Sequence, residues 1–312
     1  MIGHNLMNKI KLFNNITSLY KLNYECSDCN IWIKRDDNID FAFGGNKVRL
    51  YEYIAQYILD CKVDRIVTFG SPLSNYLRVT AIVCAKLGID CDLIILDDSN
   101  DYNVNGNLKL ISNFNANIIL CEYDKAHDFI DSYQDKLKKN NVNYLWIPGG
   151  GHMAQAAFGY VDASEEIKKQ LMDNNCKIDA IFLPCGTGTT QAGLVYGFAD
   201  MDIDIIGITV ARSTERCLKE IDEILRQMQT IEGKLFNNYK YNVIDNDGTK
   251  YGKQSESCKA VARELANLDG IFLDPIYNAK AFDGMLRYIK KTSKYKNVLY
   301  INTGGTPNIF TN

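Results

Sequence analysis

Histidine is scarce in this chain, with His4, His127 and His152 the only three among 312 residues. That leaves little material for a dedicated metal centre, because imidazole is the commonest nitrogen ligand. The thiols do not make up the shortfall. Ten cysteines are scattered, most of them inside apolar runs where they behave as small core residues. Only Cys26-Ser27-Asp28-Cys29 has ligand spacing, and no second such pair completes a zinc site. No metal is expected. Prolines number five, so no obvious linker divides the chain, and there is no internal repeat, low-complexity tract or charge run. Charge of one sign is also missing: a formal net charge of −3 offers no basic field to nucleic acid or an anionic membrane. No apolar run reaches the ~20 residues of a membrane span. The opening Met1-Ile2-Gly3-His4-Asn5-Leu6 has no apolar region of the signal-peptide kind. A cytoplasmic protein is the expectation.

What is present is an alternation. Hydrophobic content of 46% in a chain of this length supports one large or two medium domains. Short β-branched or apolar runs at 65–70, 93–96, 117–120, 144–147, 180–185, 204–210, 270–273 and 298–302 read as strands. Apolar residues at helical spacing fill the intervals, in segments near 47–58, 75–87, 107–114, 125–139, 154–172, 214–230, 255–267 and 279–292. Residues 1–30 show little periodicity and read as an irregular lead-in. Strand and helix in turn mean α/β architecture, with parallel sheets and crossover helices. Binding sites in such folds lie at the carboxyl ends of strands, so the loops there are where chemistry is sought.

Four of those loops are informative. In Phe43-Gly44-Gly45-Asn46-Lys47-Val48-Arg49 two glycines allow a sharp turn and close approach to a ligand, and Lys47 stands at a helix start. That end carries partial positive charge, which lowers the pKa of an ammonium and suits a nucleophilic amine; the bland alternative is a solvated surface lysine. Cys185-Gly186-Thr187-Gly188-Thr189-Thr190-Gln191-Ala192-Gly193, between a buried strand and a helix, offers N–H and O–H donors to an anion and reads as a phosphate cup or a plain tight turn. Gln191 stands where a dinucleotide fingerprint needs its third glycine. Ser74-Asn75 is by itself a helix cap. Asn302-Thr303-Gly304-Gly305-Thr306, after Val298-Leu299-Tyr300-Ile301, is by itself a turn.

In this order the pieces resemble the pyridoxal-phosphate enzymes of the tryptophan-synthase-β fold type. They are closest to the branch of D-cysteine desulfhydrase and 1-aminocyclopropane-1-carboxylate deaminase. Lys34-Arg35-Asp36-Asp37, the Lys47 and Gly186 motifs, Leu273-Asp274-Pro275-Ile276-Tyr277 and Ile301-Asn302-Thr303-Gly304-Gly305 carry the resemblance, from about residue 31 to the C-terminus. It implies pyridoxal 5'-phosphate in a cleft between two α/β domains, each with a mostly parallel sheet flanked by helices. The larger would combine residues 1–50 with 166–312, and the smaller would span 51–165; a homodimer is also implied. By resemblance, Lys47 forms the Schiff base and shuttles the substrate's α-proton. Gly186, Thr187, Gly188, Thr189 and Thr190 hold the phosphate, Asn75 meets the ring hydroxyl, and Thr303 faces the pyridine nitrogen. Ser74 contacts the substrate carboxylate or transfers a proton, Tyr277 lies against the ring, and Tyr251 is a second active-site tyrosine.

The departures gather at positions the resemblance gives to substrate. Asn278 replaces glutamate of the cyclopropane deaminases or threonine of the D-cysteine enzymes. Tyr76 replaces a glutamine or histidine, Ser71-Pro72-Leu73 a Gly-x-Gln arrangement, and Thr249-Lys250 a Pro-Gly. The expected reaction is deaminating α,β-elimination on a small D-cysteine-like amino acid, giving a 2-oxo acid and ammonia. Ring-opening deamination, β-replacement, a catalytically silent cofactor-binding protein and a nucleotide-binding module that only mimics the cup are the alternatives.

Overall fold

The computed structural model describes residues 7–26, 29–98, 104–234, 239–246 and 251–311. Ser27-Asp28, the middle of the Asp/Asn-rich loop after residue 96, and Gly248-Thr249-Lys250 lie outside the described residues. Two sheets carry the fold. The larger has six strands, β1 (Leu19–Lys21), β2 (Asn30–Arg35), β7 (Ala180–Cys185), β8 (Asp204–Thr209), β9 (Tyr241–Ile244) and β10 (Asn297–Asn302), in the order β1-β2-β10-β7-β8-β9. The smaller has β3 (Arg65–Gly70), β4 (Asp90–Leu96), β5 (Asn117–Cys121) and β6 (Tyr144–Trp146), in the order β5-β4-β3-β6. Among the strands of the described residues only β1 and β2 pair antiparallel, and the other ladders are parallel. Parallel strands need helices on both faces, and β7 (Ala-Ile-Phe-Leu-Pro-Cys), buried at every position, has the continuous apolar run that follows from it.

Helices α1 (Asn46–Cys61) and α5 (Ala154–Asp173) each join a strand of one sheet to a strand of the other, and they pack together. Residues 50 and 166, where the sequence suggests a division, fall inside these helices. One apolar cluster runs from α1 and α5 through α2 (Asn75–Leu87) and α6 (Thr189–Gly197) to the inner sheet faces. A second lies under α8 (Glu256–Asp269) and α9 (Asn278–Thr292) on the other face of the large sheet. Beneath the packed helices is an ionic knot. The Arg49 guanidinium bonds Asp36 at 2.8 and 3.0 Å and Glu166 at 3.1 Å, Tyr160 donates to Asp36 at 2.7 Å, and Lys34 reaches Glu166. Asp36 is fully buried, so without these partners its charge would be untenable.

Three local expectations change. The run at 270–273 is not a strand: Gly270, with φ 65°, closes α8, and Asp274 accepts the first amides of α9, so the run is a bridge between two helices that buries Ile271 and Leu273 and leaves Phe272 exposed. The lead-in contributes β1, which extends the large sheet beyond β2. Strand β9, polar enough to escape notice, covers the opposite edge. Among the described residues no helix is long and apolar enough to cross a membrane.

Candidate active site

Lys47 is the second residue of α1, and its approach runs through four successive left-handed residues, two of them glycines with no room for a Cβ. Ala42, Phe43, Gly44 and Gly45 all have positive φ, from 52° to 99°. A Cβ on Gly44 would lie 2.2 Å from the Asp37 carbonyl, and one on Gly45 would lie 2.7 Å from the Thr303 carbonyl. The loop is stitched down by Gly45 N–H to Asp36 O at 2.7 Å and Asn46 N–H to Thr303 O at 3.0 Å. The lysine therefore leaves α1 beside the Thr303 turn and enters a cavity of about 620 Å³. Its Nζ donates to the Gly150 carbonyl at 2.8 Å. Burial, with repulsion from Arg212 second, brings its pKa down to about 8. The direction is the expected one, but the cause is enclosure and a second cation, not the helix end.

The glycine–threonine loop lines the same cavity. Gly188 caps α6 with φ 83°, and a Cβ added to Gly186 would meet nothing within 4 Å, so that backbone stands open to a ligand. Amides in the first turn of a helix have no intrahelical acceptor, and here they head into the cavity wall. Thr190 Oγ1 accepts from Asn46 Nδ2 at 2.9 Å, tying the cup to the lysine loop. Gln191 points away, donating to the Ile205 and Asn242 carbonyls at 3.1 and 2.8 Å.

Ser74 caps α2, its hydroxyl accepting from Leu77 N–H at 3.3 Å, and Asn75 follows it into the cavity. Thr303 closes the opposite wall, at the end of β10. Asn278 is corrected in role. It is fully buried behind the site, where its Oδ1 accepts from Thr303 N–H at 3.1 Å and Thr303 Oγ1 at 3.3 Å, while Nδ2 donates to Gly304 O at 2.6 Å. It shapes the Thr303 turn and is not part of the cavity lining. Tyr76 does line the cavity, but its hydroxyl turns back into the core, 3.2 Å from the buried Thr68 hydroxyl. Tyr277, Tyr251 and Ser71 form a hydroxyl chain, 2.7 Å between the phenols and 2.9 Å from Tyr251 to Ser71. Burial, the foremost cause, raises both phenol pKa values, so both stay protonated at neutral pH.

All the residues singled out in the sequence thus converge on one cavity: Lys47, Ser74, Asn75, the cup from Gly186 to Thr190, Tyr251, Tyr277 and Thr303. Sequence reasoning missed Gly150, Arg212 and Tyr123, which also line it. Arg212 lies just past the end of β8, a position that the carboxyl-end rule points to. Among the described residues the lining contains no carboxylate.

The family description "Pyridoxal-phosphate dependent enzyme" matches residues 10–304. The chain belongs to the pyridoxal-phosphate dependent enzymes. Its cofactor is pyridoxal 5'-phosphate, and the cavity suits it: a lysine with a lowered pKa, an open phosphate cup, and volume within the usual range for a small-ligand site. The chain is 33% identical to a D-cysteine desulfhydrase of Yersinia pestis, over 97% of this chain and 95% of that protein. A D-cysteine desulfhydrase of Klebsiella pneumoniae is 32% identical, over 90% of this chain and 88% of the relative. Among solved structures, an ACC deaminase homologue superposes with TM-score 0.89 at 28% identity, covering 97% of this chain and 94% of the other.

Proposed function

We propose that this enzyme catalyses deaminating α,β-elimination on a small amino acid, D-cysteine foremost, taking up water and giving a 2-oxo acid, ammonia and hydrogen sulfide. The carrying observation is a lysine of lowered pKa in a cavity with no acidic lining residue among those described, opposite a neutral Thr303 hydroxyl. The two named D-cysteine desulfhydrases at about one-third identity support the substrate. The bound cofactor supplies a carbonyl that takes the substrate's amine and a ring that accepts electrons from its α-carbon. Lys47 would be the covalent anchor and the base at the α-carbon, Gly186–Thr190 the holders of the phosphate, and Asn75 a donor to the ring oxygen. Thr303, whose hydroxyl bonds an amide oxygen and not an acid, would give the ring nitrogen no acidic partner to hold it firmly protonated. That favours prompt loss of a β-leaving group. Ser74 would take the substrate carboxylate, and the Tyr277–Tyr251–Ser71 chain would return a proton to the departing sulfur.

The same reading divides the chain into a large domain of residues 1–50 and 166–312 and a small one of 51–165, with the cofactor between them, in a cytoplasmic homodimer. Ten cysteines without a disulfide accord with a reducing compartment. The test is direct. Wild-type protein with pyridoxal phosphate should show a violet-absorbing band that Lys47→Ala alters, and D-cysteine should bleach it while sulfide, ammonia and oxo acid appear together. A band indifferent to D-cysteine but responsive to the cyclopropane amino acid would overturn the substrate in favour of ring opening.

A further inference from the structure

Asn75 can face the cavity in two ways, oxygen first or nitrogen first, and the structure decides which. Arg78, one turn along α2 and 1% exposed, donates from Nη1 to Asn75 Oδ1 at 2.8 Å. Asn107 Nδ2 donates to the same oxygen at 3.0 Å. A guanidinium has no acceptor, so the atom it meets must be the amide oxygen, and Nδ2 is left as the free donor. The clamp is itself clamped. Arg78 Nη1 also reaches Asn107 Oδ1 at 2.6 Å and Nη2 reaches Gly44 O at 3.2 Å, while Asn107 Nδ2 bonds Leu73 O at 3.0 Å and Asn308 Oδ1 at 2.9 Å. None of these partners is a carboxylate. Arg78 Nε is buried with no hydrogen-bond partner among the described residues, and the buried Asp274 carboxylate acts on this cation only through space, so its directional bonds go to the amides and the Gly44 carbonyl. On the reading that Asn75 meets the ring oxygen of the cofactor, we propose that Arg78 is a positioning residue that locks the Asn75 amide nitrogen-first. A fixed Nδ2 donor holds the ring oxygen in its deprotonated, long-wavelength-absorbing form.

The experiment compares the ratio of violet to near-ultraviolet absorbance in pyridoxal-phosphate-loaded wild type, Arg78→Gln, Arg78→Lys, Asn75→Ala and Asn75→Ala/Arg78→Gln at one pH. Arg78→Gln should lower the ratio roughly tenfold, the scale of one lost charge-assisted hydrogen bond, and Arg78→Lys should recover part of it. In the Asn75→Ala background the further change should be under about twofold, because interacting residues do not add. If Arg78→Gln fails to fold, Asn107→Asp serves instead: an acceptor oxygen in place of the Nδ2 donor invites the Asn75 amide to turn over, and it should lower the ratio likewise. A folded Arg78→Gln or Asn107→Asp with the wild-type ratio, or effects that multiply fully in the double variant, would overturn the proposal. Absence of any band in the wild type would instead strike at the cofactor's seat on Lys47, a distinguishable failure.

Discussion

Lys47 sets the pH behaviour of the site. Its pKa near 8 means the amine is mostly neutral above that value, about two units below where a free lysine would become so. The rate at which cofactor-free protein captures pyridoxal phosphate, followed by absorbance, should therefore climb with pH through about 8 and level off beyond. Arg212→Gln removes a repelling cation, so the pKa rises and the whole profile should move to higher pH. An unmoved profile would mean that burial alone sets the value. Asn278 bears a different prediction. Its amide oxygen takes bonds from Thr303 N–H and Oγ1 and from Tyr300 OH at 3.1, 3.3 and 3.2 Å, all within the core. Asn278→Ala should cost about 2–4 kcal/mol in urea unfolding, since several buried groups lose partners at once. A variant as stable as wild type with only a changed KM would return Asn278 to the substrate.

At the level of elements, most of the fold was legible because each strand and helix advertised its own period. Strands β3 and β7 match the apolar runs residue for residue, and Gly88 ends α2 in the left-handed conformation that the sequence suggested. The misread run has a physical cause: Ile271 and Leu273 are buried while Phe272 is exposed, an alternation that a bridge between two helices shares with a half-buried strand. In the site, motif residues were legible because their spacing is local, while Arg212 and Gly150 meet Lys47 across distances that no spacing encodes. The glycines at the loop crossing give the sharpest test. Gly304 has φ 86°, and a Cβ there would lie 2.5 Å from the Gly45 Cα. Gly304→Ala should cost roughly 2–4 kcal/mol, from backbone strain and overpacking together, and should weaken cofactor retention measured by dialysis.

Across the whole molecule, the ionic knot under α1 and α5 binds segments distant in sequence. Burial pushes the Asp36 carboxyl upward, but Arg49 and Lys34 more than offset this and hold it below the usual carboxylate value. Its contribution to stability is therefore present above the unfolded pKa and lost as pH falls through the lower folded one. Acid unfolding, followed by circular dichroism, should show a stability loss below about pH 4 that Asp36→Asn lacks, the variant being less stable by ~3–5 kcal/mol at neutral pH. The crossing of the Gly45 and Thr303 backbones also governs timing. Lys47 is made about 250 residues before β10, which lies between β2 and β7, and before the Thr303 turn that receives Asn46. Until they arrive, the lysine loop has no wall to rest against and the large sheet is split in two. A nascent chain halted before β10 should leave pyridoxal phosphate unbound, and loading of the cofactor should await emergence of the Thr303 turn.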